Sequence, residues 1–119
     1  MAVRLNTVTE IKTFRDHVHT VVWTGLQNGD TGDPILMPGS AIRSVAVTGT
    51  FGTGGSITMQ GSNDNSNWFA LTDAQGNAIT KTSAALENIE ELTLYVRPNV
   101  TAGDGTTSLT ATMLLGRYR

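Results

Sequence analysis

The chain has 119 residues, enough for one hydrophobic core and too few for two ordinary domains. Charged residues make up 15% of it and the formal net charge is −2, against roughly 25% charged residues in soluble domains. That balance, without a basic stripe, argues against nucleic acid as a partner. Cysteine is absent, which excludes disulfide staples and thiolate metal sites and fits a reducing compartment or an assembly stabilised by association.

Residues 1–16 mix charge with β-branched side chains and show no sustained period, so they read as an N-terminal arm with at most one short strand. The opening MAVRLNTVTEIKTF has no apolar stretch of the kind a secretion signal needs. No run approaches the roughly 18 apolar residues of a membrane span, and the sequence is expected to be a complete, unprocessed product. Val18 to Leu26 is the first strand, with Val21 and Trp23 on one face. Gln27 to Asp33 is a loop in which Asn28-Gly29 fits a tight hairpin turn, while Pro34 disfavours a long central strand nearby. Ile35-Leu36-Met37 is a short apolar run closed by Pro38-Gly39.

Ile42 to Phe51 is the clearest core strand, with Val45, Val47, Gly49 and Phe51 on one face and Ser44, Ala46, Thr48 and Thr50 on the other. Gly55 to Leu71 then reads as a strand, a polar turn at Asn63-Asp64-Asn65 and a return strand opening at Trp68. Asp73 to Asn77 is another turn, before a strand through Ile79 and Thr82. Ser83 to Glu91 is the one helix-prone window, to be filled by a single helical turn capped by Ser83 or by an irregular loop. Leu92, Leu94 and Val96 are expected inward, Tyr95 and Arg97 outward, with Pro98 ending the pairing. Thr101 to Thr107 forms a turn, and Ser108 to Leu115 closes the fold with Leu109, Ala111, Met113 and Leu115 inward. Seven or eight short strands at this spacing predict an all-β, antiparallel β-sandwich, jelly-roll-like, spanning 17–119 behind the extended arm.

The candidate chemistry is sparse. His17 and His19 share a strand face, but a metal would need a third ligand, and a polar strand or a pH-sensitive contact accounts for them. Asp30, Asp33, Asp64, Asp73 and Asp104 all fall in turns, where Asp is an ordinary residue; the turn at Asn63-Asp64-Asn65 is the best single cation candidate. Glu87, Glu90 and Glu91 read as a solvated face rather than as acid–base carboxylates. Gly52-Thr53-Gly54-Gly55 matches a phosphate loop only in composition, because a strand follows it. Trp23, Trp68, Tyr95 and Tyr118 are the rings available to a sugar platform, although an aromatic at Trp68 ordinarily covers a sandwich edge. Asn99-Val100-Thr101 fits a glycosylation acceptor and is taken as coincidence. No catalytic residue, metal site or cofactor is expected.

Three pieces in fixed order carry a resemblance: GDTGDPI (29–35), GTFGTGGSITMQGSNDNSNWFALTDAQGNAIT (49–80) and YVRPNVTAGDGTTSLTATMLL (95–115). Over about three quarters of the chain they resemble the small head decoration, or cement, proteins of tailed bacteriophages. The resemblance implies a non-enzymatic virion protein, made in the host cytoplasm, that binds the capsid exterior across major capsid protein subunits and stabilises the head. It stops short of residues 1–16. Position and chemistry name the partner-binding residues: Val3, Leu5, Val8, Ile11 and Phe14 on the arm, which is expected to add a strand to a neighbour's sheet edge, and Arg117, Tyr118 and Arg119 on the tail. A homotrimer is expected first and a dimer second. The alternatives are a carbohydrate-binding module and a tail or baseplate subunit.

Overall fold

Period-two alternation in the long segments is realised as two sheets packed face to face. The computed structural model describes residues 2–12, 17–36 and 42–116. In chain order the strands are β1 (Val3–Arg4), β2 (Asn6–Lys12), β3 (His17–Leu26), β4 (Thr31–Gly32), β5 (Ile35–Leu36), β6 (Ile42–Thr50), β7 (Ser56–Ser62), β8 (Phe69–Ala70), β9 (Thr80–Lys81), β10 (Ala85–Asn88), β11 (Tyr95–Ala102) and β12 (Ser108–Gly116). The first sheet runs β1-β4-β11-β7-β8, with β5 also on β11 and β9 also on β7; the second runs β10-β6-β12-β3-β2. Every pairing is antiparallel except β1 with β4. The described residues contain no helix, and the architecture is the expected antiparallel β-sandwich.

The core lies between the sheets. Val21, Trp23, Val45, Val47, Leu109, Ala111 and Met113 come from the second sheet, Ile57, Met59, Val96 and Val100 from the first, and all are buried. Full burial of each large side chain contributes on the order of 2 kcal/mol. Trp23 and Leu26 are three residues apart, which strict alternation would place on opposite faces. A register shift of β3 against β12 between Leu109 and Ala111 absorbs one residue, and Gly25 takes the left-handed conformation there (φ 66°). The bulge turns both side chains inward.

Five expectations are corrected. Residues 3–12 of the expected arm are part of the sandwich: β1 joins the first sheet through β4, and β2 pairs along β3 in the second. Asn28-Gly29 does form a turn, closed by the Asp30 N–H on the Gln27 carbonyl (2.9 Å), but it carries the chain from one sheet to the other instead of making a hairpin. The helix-prone window holds β10, paired with β6 from Ala85↔Val47 to Asn88↔Ser44; an open edge with a full ladder of backbone partners overrides a weak helix propensity. Pro98 does not end the pairing, because β11 continues to Ala102. On its other side β5 pairs only with Tyr95 and Val96, and β4 with Asn99. Among the described residues no strand there calls on the N–H that Pro98 lacks. Leu92 and Leu94, ahead of β11, are exposed, and only Val96 of that trio points inward.

Candidate functional site

The N-terminal segment is fixed by one buried carboxylate. Asp30, 3% exposed, accepts the Ala2 N–H (3.1 Å), the Gln27 N–H (2.9 Å) and Arg4 Nε (2.7 Å). Burial pushes its carboxyl pKa up, but the donors from Gln27, Arg4 and Ala2 outweigh burial and hold it below the ordinary value. The backbone adds two ties, from the Thr31 N–H to the Ala2 carbonyl (2.9 Å) and from the Asp33 N–H to the Arg4 carbonyl (2.7 Å). The Asp33 carbonyl accepts the Asn6 side-chain amide (3.1 Å) and the Trp23 indole N–H (2.9 Å), which joins the segment to the core. Gly32 makes this closeness possible, since a Cβ there would lie 2.5 Å from the Pro98 ring and 2.7 Å from the Trp23 indole.

On this rigid border Val3, Leu5 and Val8 stand 63%, 79% and 48% exposed. Three of the expected partner-binding side chains therefore share one segment, at the margin of both sheets, with their apolar surface in water. Ile11 lies in β2 and is described by its backbone alone; Phe14, Arg117, Tyr118 and Arg119 lie outside the described residues. β2 is the last strand of its sheet on that side, so this border has a strand edge as well as apolar side chains.

A second constellation occupies the outer face of the first sheet. Arg97 lies over the Trp68 ring, 4.1 Å from its centre, and its Nε donates to Gln60 Oε1 (3.0 Å). Arg97 and Gln60 are directly paired across β11 and β7. Tyr95 is two residues before Arg97 on the same face, and its partner across β5 is Leu36. Trp23 is fully buried and cannot form a sugar platform with Trp68, one of whose faces is covered by the guanidinium.

The turn at Asn63-Asp64-Asn65 places Asn65 in the left-handed region (φ 63°). Asp64 accepts the Ser66 and Asn67 N–H groups, the Asn67 side-chain amide and the Ser62 hydroxyl, and the Asn67 N–H leads the donors that hold its pKa well below the usual carboxylate range. Its oxygens are thus engaged by donors of its own loop. Asp73 closes the next turn by accepting from the Gln75 and Asn77 N–H groups. Asp104 takes the Thr106 N–H and hydroxyl and the Thr53 N–H, which ties two loops together. Turn chemistry accounts for all three, and among the described residues no cluster of His, Asp and Glu could hold a metal ion. His19 faces Glu10 at 3.8 Å across β2 and β3.

The three glutamates do not form one solvated face. Glu87 pairs with Lys81 Nζ (2.6 Å). Glu91 accepts the Thr72 N–H (2.7 Å) and hydroxyl; burial raises its pKa, and the Thr72 donors bring it below the ordinary value. Glu91, Phe69, Leu71, Thr93 and the 62–67 loop line an open cleft of about 430 Å³. Phe69 is 71% exposed on its rim. The Arg97 platform and this cleft were missed by sequence reasoning, since residues 60, 68 and 97 meet only through strand pairing.

No protein-family model and no curated protein matches the chain. Its fold is similar to that of the SPBc2 prophage-derived protein YomS, with a TM-score of 0.62 and 12% identity, over 89% of this chain and 97% of that one. Weaker likenesses are to Peruvianin-I, a cysteine peptidase from Thevetia peruviana latex (TM-score 0.43, 15% identity, 92% of this chain and 60% of that one), and to a carbohydrate-binding module of Cellvibrio mixtus lichenase 5A (TM-score 0.32, 15% identity, 96% and 87%).

Proposed function

We propose that this chain is a non-enzymatic structural protein of a phage virion. Within the virion we assign it to decoration of the head, bound to the outer capsid surface across major capsid protein subunits. The observation that carries the reading is the border formed by Val3, Leu5 and Val8, exposed apolar side chains on a segment locked by Asp30. Rigid presentation keeps the ordering entropy of binding low. The likeness in fold to a prophage-derived protein agrees with a phage origin. The mode of contact differs from an arm donated to a neighbour: the segment already pairs with its own β3 and β4, so its open β2 edge accepts contacts. Symmetry-related copies, a trimer first and a dimer second, would multiply weak contacts into avidity against internal pressure.

The test is cryo-EM of empty capsids of the encoding phage mixed with purified protein, alongside native mass measurement of the free protein. Density at shell symmetry axes with Val3, Leu5 and Val8 against capsid is the expected result. A monomer that leaves the shells bare would overturn head decoration and redirect the search to tail and baseplate.

A further inference from the structure

Four half-buried or buried cations can be compared among the described residues. Arg4 is paired with Asp30 (2.7 Å) and Lys81 with Glu87 (2.6 Å). Arg43 donates to the Glu91 carbonyl (2.8 Å) from within the sandwich. Arg97 differs. Its Nε is satisfied by Gln60 and its plane is stacked on Trp68, yet no carboxylate of the described residues pairs with it. The nearest acidic loop residue along the chain from Trp68, Asp64, is saturated by donors of its own turn.

We infer that Arg97, held between Trp68 and Gln60, is the docking point for a carboxylate side chain of a partner protein. The terminal nitrogens of a guanidinium form a fork matched to a carboxylate, and here stacking and the Nε bond fix that fork before any partner arrives. Less rotamer entropy is then lost on binding than for a free surface arginine. Burial works against the charge, lowering the Arg97 pKa from its ordinary value, so the group is partly stripped of water without a counter-charge, and an incoming anion gains accordingly. The surroundings select the class of partner. Arg97, Trp68 and Tyr95 are the residue types that dominate protein interfaces. Leu36, 52% exposed, adds an apolar margin opposite Tyr95. They lie on the outer face of a sheet rather than in the cleft, a shape suited to another protein surface and not to an enclosed small molecule. That the partner is a shell subunit rests on the decoration reading; the carboxylate chemistry does not.

Two measurements separate the claims. In the free protein, NMR follows the Arg97 Nε–H and Trp68 indole N–H signals during titration with acetyl-Glu-amide, its neutral isostere acetyl-Gln-amide, and glucuronate. Saturable shifts with the Glu probe alone, abolished by Arg97→Gln in a protein whose other amide signals are unchanged, are expected. Equal shifts with both amides, or none, would overturn the site, and tighter binding of glucuronate would overturn the protein partner in favour of an acidic sugar. On capsids, Arg97→Gln should weaken binding about tenfold or more, and Arg97→Lys by less. Shells that bind wild type and Arg97→Gln equally refute the inference and leave decoration standing. Shells that bind neither, with a positive titration, refute decoration and leave the carboxylate site standing.

Discussion

Replacing Asp30 with alanine tests whether one buried carboxylate holds the N-terminal segment in place. The substitution removes the acceptor of two part-buried backbone donors, Gln27 N–H and Ala2 N–H, both on solvent-exposed residues, and leaves Arg4 without its partner. An unsatisfied buried donor costs about 1–3 kcal/mol, and these two, on residues open to water, fall at or below the low end of that range; the Arg4 side chain is 37% exposed and recovers water, so its share is near the low end for a screened pair. The expected loss is about 2 kcal/mol at pH 7. With an unfolding entropy of about 2.1 cal/mol/K per residue over 119 residues, Tm should fall by about 8 °C. Asp30→Asn, which keeps one acceptor oxygen, should lose roughly half as much.

Urea unfolding measures the stability, and amide exchange locates the effect. The Thr31 and Asp33 N–H groups, bonded to the Ala2 and Arg4 carbonyls, should exchange faster than the amides of β12. The pH dependence follows from linkage. Asp30 has a lower pKa folded than unfolded, so its ionisation stabilises the fold fully above the unfolded value of about 3.9. That stabilisation is lost as pH falls through the lower, folded value. The gap between wild type and Asp30→Ala should therefore hold from pH 7 to about pH 4 and narrow below it. A gap under about 1 kcal/mol at pH 7, or one that does not narrow in acid, would refute the assignment of Asp30 as the lock.

Gly32→Ala forces a methyl between the Pro98 ring and the Trp23 indole, neither of which can swing away; denaturation should report a loss of about 3 kcal/mol. Trp23→Phe removes the indole N–H bond to Asp33 and core volume together, for about 2 kcal/mol in the same assay, and its emission loss should leave a spectrum from Trp68 alone. Leu5→Asp, at a position 79% exposed, should change stability by less than about 0.5 kcal/mol while weakening capsid binding about tenfold or more in a co-sedimentation assay.

Local pattern made much of the sandwich legible. Val45 and Val47 in β6, and Leu109, Ala111, Met113 and Leu115 in β12, alternate without interruption, and all six are buried as the period requires. The failures share a cause, which is pairing between distant segments. Nothing in residues 1–16 says that Val3 will lie beside Thr31, or that the lone Asp30 will be buried. Ala85 to Asn88 favours a helix until β6 offers it an edge. Pro98 reads as a terminator until the break between β4 and β5 is known. At the border, Val3, Leu5 and Val8 were recognisable as candidates because apolar residues without a sustained period have no obvious core to enter. Arg97 was placed outward correctly, but its stacking on Trp68 depends on the register of two strands with residues 60 and 97 paired.

The order of strands in the sheets also bears on how the chain can be made. β11 is flanked by β4 and β7, and β12 by β3 and β6, so each sheet is completed by one of the two strands that come latest in the sandwich. On the ribosome, β3 and β6 emerge with their shared partner still unmade, and β4 and β7 likewise. Until residues 95–116 leave the exit tunnel, the nascent chain exposes apolar edges that invite pairing with other chains. A product cut short before Tyr95 would have no smaller sandwich to settle into. Folding of the sandwich should therefore be all-or-none once β12 has been made, with chaperone occupancy highest just before β11 appears.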